Sequence, residues 1–127
     1  MGQGQAAVDI NRSADEVWAV VGDFGGIGKW LPGIESCRVE GDDRILTMPG
    51  MQITERLIAK DDQSRALTYS IIAGVPVDNH QGVMTVTPNG GASRVTWAVD
   101  TTPDEMVEVM VPAYEQGLEA LKAHLEA

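Results

Sequence analysis

The chain has 127 residues, 43% of them apolar, which is the size and composition of a single globular domain, 1–127, and excludes a second one of ordinary size. Nine basic against nineteen acidic side chains leave a net charge of −10, which repels nucleic-acid phosphates and anionic lipid surfaces. No apolar run approaches the roughly 20 residues that cross a bilayer, and the lone Cys37 excludes an intrachain disulfide or a cysteine-built metal site.

Residues 1–7 carry neither a basic region nor an apolar core of the secretory kind, so a cytosolic protein is expected. Ala6 to Ile10 reads as a first strand. Ser13-Ala14-Asp15-Glu16 then forms a capping box, with the Ser13 hydroxyl accepting from the Glu16 amide and Glu16 reaching back, and predicts a helix over 14–21. Asp23-Phe24-Gly25-Gly26 stops it, a short helical turn covers 27–30, and Leu31-Pro32-Gly33 breaks into sheet. Six further strands are predicted near 34–40, 44–48, 51–60, 66–73, 79–87 and 93–100. Cys37 on the first of these reads as a small core-filling side chain.

The breaks between strands carry Gly, Pro, Asn and Asp, as in Gly41-Asp42-Asp43 and Pro88-Asn89-Gly90-Gly91, and are too short for parallel crossovers, so the sheet is an antiparallel meander. Thr102-Pro103-Asp104-Glu105 marks the start of a last helix, with Thr102 as cap and Pro103 at the first helical position. Met106, Met110, Ala113, Tyr114, Gly117, Leu118, Leu121 and Leu125 then recur at spacings of three and four as one apolar stripe facing the sheet. Pro112 inside that stripe is expected to kink or loosen the helix. The order of elements predicts an α+β fold with a curved, seven-stranded antiparallel sheet wrapped around a long C-terminal helix.

Side chains alternate across a strand, and the apolar sets define the inner face: Ile53, Glu55, Leu57 and Ala59; Leu67, Tyr69, Ile71 and Ala73; His80, Gly82, Met84 and Val86; Val95, Trp97 and Val99. Two ionisable residues, Glu55 and His80, fall among them. A buried carboxylate there is either paired with an arginine or a hydroxyl, or serves as a ligand anchor or acid/base group; His80 is either a satisfied core histidine or the second such group. His80 is the expected partner of Glu55, whose pKa is expected to rise through desolvation. Tyr69, Ile71, Gly82, Met84, Trp97, Met110 and Tyr114 are the candidate ligand-binding residues around them. With two histidines in the chain and no paired acidic cluster, no metal and no cofactor are expected. Asp23-Phe24-Gly25 and Gly28-Lys29 imitate fragments of nucleotide-handling motifs but lack the companion residues that make such motifs work.

The layout resembles the helix-grip fold of the START-like, Bet v 1-like (SRPBCC) superfamily, especially its small bacterial polyketide cyclase/dehydrase members. Ala14-Asp15-Glu16-Val17-Trp18, Trp30-Leu31-Pro32-Gly33-Ile34 and the stretch from Thr54-Glu55-Arg56-Leu57 through Asp61-Asp62 to Tyr69-Ser70-Ile71 carry the match, over about Val8 to Glu126. The resemblance implies that Glu55, Tyr69 and His80 line a cavity, with Ala73-Gly74-Val75-Pro76-Val77 as a shortened gate beside its mouth. The chain departs from the related plant abscisic-acid receptors in having no evident counterpart, on a cavity-facing position, of the basic residue that holds the hormone's carboxylate, which makes abscisic acid a poor fit.

The expected function is binding of a small, mostly apolar, aromatic or polyketide-like molecule between the sheet and the last helix, by a monomer or a homodimer. The alternative is a cofactor-independent cyclase or dehydratase that uses Glu55 or His80 as acid/base. A third reading is a protein-partner-binding module, disfavoured because no exposed apolar stripe is evident.

Overall fold

A computed structural model describes residues 2–127 as one antiparallel sheet of seven strands holding a long C-terminal helix. Strand β1 (Gly2–Ile10) leads into α1 (Ala14–Val21) and a 3-10 segment (Phe24–Lys29). There follow β2 (Ser36–Glu40), β3 (Asp43–Met48), β4 (Met51–Asp61), β5 (Ala66–Ala73), β6 (Asn79–Asn89) and β7 (Ala92–Thr102). A 3-10 turn over Asp104–Met106 then leads into α2 (Val107–Glu126). The strand order is β1-β7-β6-β5-β4-β3-β2, so every neighbour except β1 is joined by a hairpin. No helix among the described residues is long and apolar enough to cross a membrane.

The signals for α1 and for the apolar stripe of α2 act as written. Ser13 Oγ accepts from the Glu16 amide at 3.2 Å and the Glu16 carboxylate accepts from the Ser13 amide, closing the capping box. Helix α2 packs on β1 and β7, and buries Met110, Tyr114, Gly117, Leu118 and Leu121 of the predicted stripe. The helical run continues through Pro112, which is exposed and removes only the amide that would have reached the Glu108 carbonyl.

Two boundaries and one burial differ from expectation. Strand β1 begins at Gly2 rather than Ala6, because Gly4 sits where a Cβ would lie 2.7 Å from Val107 Cγ1 and Val111 Cγ2. Glycine is a poor strand former in isolation, yet here it is what lets the helix approach the strand. Thr102 is the last residue of β7 rather than a helix cap, and α2 starts five residues later, after a single 3-10 turn. Cys37 is half-buried at the edge of the core rather than a core residue.

The predicted alternation fails in β4, which shifts register between Thr54 and Glu55 and again between Leu57 and Ala59. Past the second shift Ala59 is exposed instead of inward, and Lys60 stands opposite Leu67 with its ammonium 5.9 Å from the centre of the Trp18 ring. A bulge adds one residue to one strand and so inverts the facing of everything beyond it.

Candidate functional site

An open cavity of about 460 Å³ lies between the inner faces of β3, β4, β5 and β7, the first half of α2 and the segment that follows α1. Its walls are almost entirely apolar: Leu46 and Met48 from β3, Ile53 from β4, Ile71 from β5, Met106 and Met110 from the helix side, and Ile27, Leu31 and Ile34 above. Met51 and Val109 line it while remaining 44% and 63% exposed, which marks the mouth between the β3–β4 hairpin and α2. Val75 reaches the mouth from the β5–β6 turn. Gly74 in that turn has φ +96°, and its α-carbon lies so close to the Gln52 carbonyl that a side chain has no room.

Three polar side chains interrupt this wall: Glu55, Tyr69 and Tyr114. Glu55 stands opposite Arg44 in the β3–β4 ladder, and both are buried. Arg44 donates from Nε to Glu55 Oε1 at 2.8 Å, with Nη2 in ion-pair contact with the same oxygen at 2.7 Å, and from Nη1 to the Phe24 carbonyl at 2.9 Å. Its guanidinium is also layered between two rings, 4.1 Å from the centre of Phe24 and 5.1 Å from that of Tyr69. The cation is therefore spent on the protein, and Glu55 Oε2 takes no hydrogen bond from any described residue. Burial pushes the Glu55 pKa above the ordinary carboxylate value, although Arg44 pulls the other way.

Beside this pair Trp97 Nε1 donates to Tyr69 Oη at 2.9 Å, and Tyr69 Oη lies 3.5 Å from Tyr114 Oη. The Trp97 and Tyr114 rings stack at 4.2 Å and 4°, with the edge of Trp30 against Trp97 at 6.0 Å. Gly117, one turn beyond Tyr114, permits this stack, since a Cβ there would meet Leu31 and Trp97 at 2.9 and 3.0 Å. Burial raises the pKa of both phenols, that of Tyr114 to about 12, so both remain protonated donors.

The family described as polyketide cyclase/dehydrase and lipid transport matches residues 1–126. The chain belongs to this family. Among solved structures it is similar to the protein XoxI from Bacillus cereus, at 32% identity over 98% of this chain and 96% of that one, with a TM-score of 0.92. A START superfamily protein from Mycobacterium smegmatis (16% identity, 99% and 98% covered, TM-score 0.81) shares the fold. So does norcoclaurine synthase from Thalictrum flavum (22% identity, 98% and 87% covered, TM-score 0.74). At these identities the last two establish the helix-grip, START/Bet v 1-like architecture alone. A search of curated protein sequences found no match.

Of the residues singled out from the sequence, the structure brings Glu55, Tyr69, Ile71, Trp97, Met110 and Tyr114 together around one cavity. It places three others elsewhere. His80 is not the partner of Glu55, which is held by Arg44. Its Nδ1 accepts from the Ile71 amide at 3.0 Å, its ring lies tilted 5.6 Å from Tyr69, and its Nε2 is enclosed without a partner. The β5–β6 ladder ends at the Tyr69–Gly82 pair, and the imidazole takes over the role of the next backbone acceptor. Burial lowers its pKa to about 4, and it borders an outer cleft with Asp78 and Asn79 rather than the apolar cavity.

Gly82 lies under the Tyr69 ring, where a Cβ would come within 2.5 Å of Tyr69 Cζ, so it supports the cavity wall without lining it. Met84 is enclosed in the core, opposite Leu67 and Trp97. Arg44 is the residue that sequence reasoning missed. The signal was present, because alternation along β3 puts Arg44 on the same face as Leu46 and Met48. Among the described residues no cluster of His, Cys, Asp and Glu is arranged to hold a metal ion.

Proposed function

We propose that this protein binds a small, mostly apolar molecule, aromatic or polyketide-like, in the cavity between the sheet and α2, with Glu55 as its polar anchor. The observation that carries this reading is a carboxylate oxygen without a protein partner, on a residue that lines an otherwise apolar cavity of about 460 Å³. That volume falls within the range of drug-sized ligand sites. An apolar wall contributes affinity in proportion to the area it covers, and a single buried acceptor fixes orientation. Membership of a family described by polyketide cyclase/dehydrase activity and lipid transport supports the same ligand chemistry.

A second reading is an enzyme of the cyclase or dehydratase type, with Glu55 as the base beside a carbonyl held by Tyr114. It is favoured by the raised Glu55 pKa, which brings the carboxylate closer to the range useful for proton transfer. His80 has no place in either reading, since it does not face this cavity.

Native mass spectrometry of the purified protein against aromatic polyketides, phenols and fatty acids, with each mixture analysed for products afterwards, separates the two. Complexes that release the ligand unchanged identify a binding protein. Loss of water or a new isomer that disappears in Glu55→Gln identifies the enzyme. No complex with any of these compounds overturns both.

A further inference from the structure

The hydrogen-bond directions on the cavity wall carry a more specific conclusion, which rests on reading the cavity as a ligand site. An indole N–H can only donate, so the 2.9 Å bond from Trp97 makes Tyr69 Oη an acceptor. Either hydroxyl of the Tyr69–Tyr114 contact at 3.5 Å could donate, but Tyr69 is buried and Tyr114 Oη is the one acceptor beside it, so donation by Tyr69 is the direction that leaves no enclosed proton unpaired. With its own oxygen facing that proton, Tyr114 is left with an O–H and no acceptor among the described residues. Arg44 directs Nε to Glu55 Oε1, with Nη2 in ion-pair contact with the same oxygen, and Nη1 to the Phe24 carbonyl, so Oε2 remains an acceptor with no donor.

We infer that the cavity is polarised, with an acceptor at Glu55 and a donor at Tyr114, and that it selects neutral ligands carrying both a hydroxyl and a carbonyl oxygen. Tyr114 is the specificity-determining residue for the carbonyl, and Tyr69 is the positioning residue that turns the Tyr114 proton toward it. A carboxylate ligand is rejected, because it would bring a second negative charge toward Glu55 into a cavity whose nearest cation is already engaged. The site therefore discriminates against free fatty acids although its walls are apolar.

Isothermal titration calorimetry with a set of two-ring compounds of nearly equal size tests this on the unaltered protein. The probes are 6-acetyl-2-naphthol, 6-ethyl-2-naphthol, 2-acetylnaphthalene, 2-ethylnaphthalene and 6-hydroxy-2-naphthoate. The hydroxy ketone should bind tightest, with loss of the hydroxyl costing about tenfold or more and loss of the carbonyl about three- to tenfold, as expected for bonds to a charged and a neutral partner. The carboxylate should bind weakest of those carrying a hydroxyl.

In Tyr114→Phe the acetyl and ethyl naphthols should bind alike while the preference for the hydroxyl persists; in Tyr69→Phe the ratio between them should narrow. Equal affinity for all the neutral probes overturns the polarised site and leaves the apolar cavity standing, as does a preference for the carboxylate. Binding of none of the probes overturns the ligand site itself.

Discussion

Arg44 and Glu55 face each other across the β3–β4 ladder and close on each other through one oxygen, with Nε and Nη2 at 2.8 and 2.7 Å from Oε1. The pair is buried, so both charges are held away from water and each depends on the other for compensation. Glu55→Leu should cost about 3–5 kcal/mol by stranding the guanidinium, whereas the double change Arg44→Leu with Glu55→Leu should recover most of that loss. Urea unfolding of the single and double variants measures both. Additive losses in the double variant would mean that the two residues stabilise the fold independently.

The titration of Glu55 follows from the same contact. Burial raises its pKa and Arg44 opposes the rise, so carbon-detected NMR should find the carboxylate above its ordinary value in the native protein. In Arg44→Leu it should move higher still. An unshifted Glu55 in both proteins would mean that water reaches the carboxylate freely.

Tyr69 and Gly82 form a cross-strand pair in which the ring covers the glycine. Gly82→Ala forces the ring aside, and with it the Trp97–Tyr69 hydrogen bond. A stability loss of about 1–3 kcal/mol is expected from such overpacking, together with a shift of the Trp97 indole proton resonance. An unchanged resonance would show that the wall adapts elsewhere. Gly82→Leu is accordingly a poor probe of cavity occupancy, since it deforms the site's scaffold rather than filling the site.

His80 predicts a pH dependence. Its imidazole stays neutral in the folded protein down to about 4, against an ordinary value of 6.5. Between those values the unfolded chain holds more protons, so stability rises with pH. Acidification from neutrality should therefore remove stability between about pH 6.5 and 4, by roughly 2 kcal/mol at most after allowing for solvent screening. Glu55, with its raised pKa, acts in the opposite direction. The quantity to measure is therefore the difference between the native protein and His80→Asn, whose side-chain oxygen can still accept from the Ile71 amide. Parallel stability profiles for the two would show that His80 has the same pKa folded and unfolded.

Most of the architecture could be read from nearest neighbours along the chain. The capping box at Ser13 and Glu16, the turn residues between strands, the apolar stripe on α2 and the inward run of Leu67, Tyr69 and Ile71 each depend on a few consecutive residues, and each appears where the local pattern puts it. Strand β1 was only half legible, because Gly2 and Gly4 owe their strand conformation to contact with the helix side, about a hundred residues away in the chain.

The sequence by itself determined the fold class, the two-sided character of the strands and the presence of polar residues on an apolar face, since these follow from periodicity and turn chemistry. Only the tertiary structure decided what those polar residues do. It paired Glu55 with Arg44 rather than His80, because strand register chooses partners that spacing does not reveal. It turned Ala59 outward through a bulge and made His80 an acceptor where a ladder ends. It also aligned Trp97, Tyr69 and Tyr114 from two strands and a helix into one hydrogen-bonded row, an arrangement set by three-dimensional packing and absent from any local stretch of the sequence.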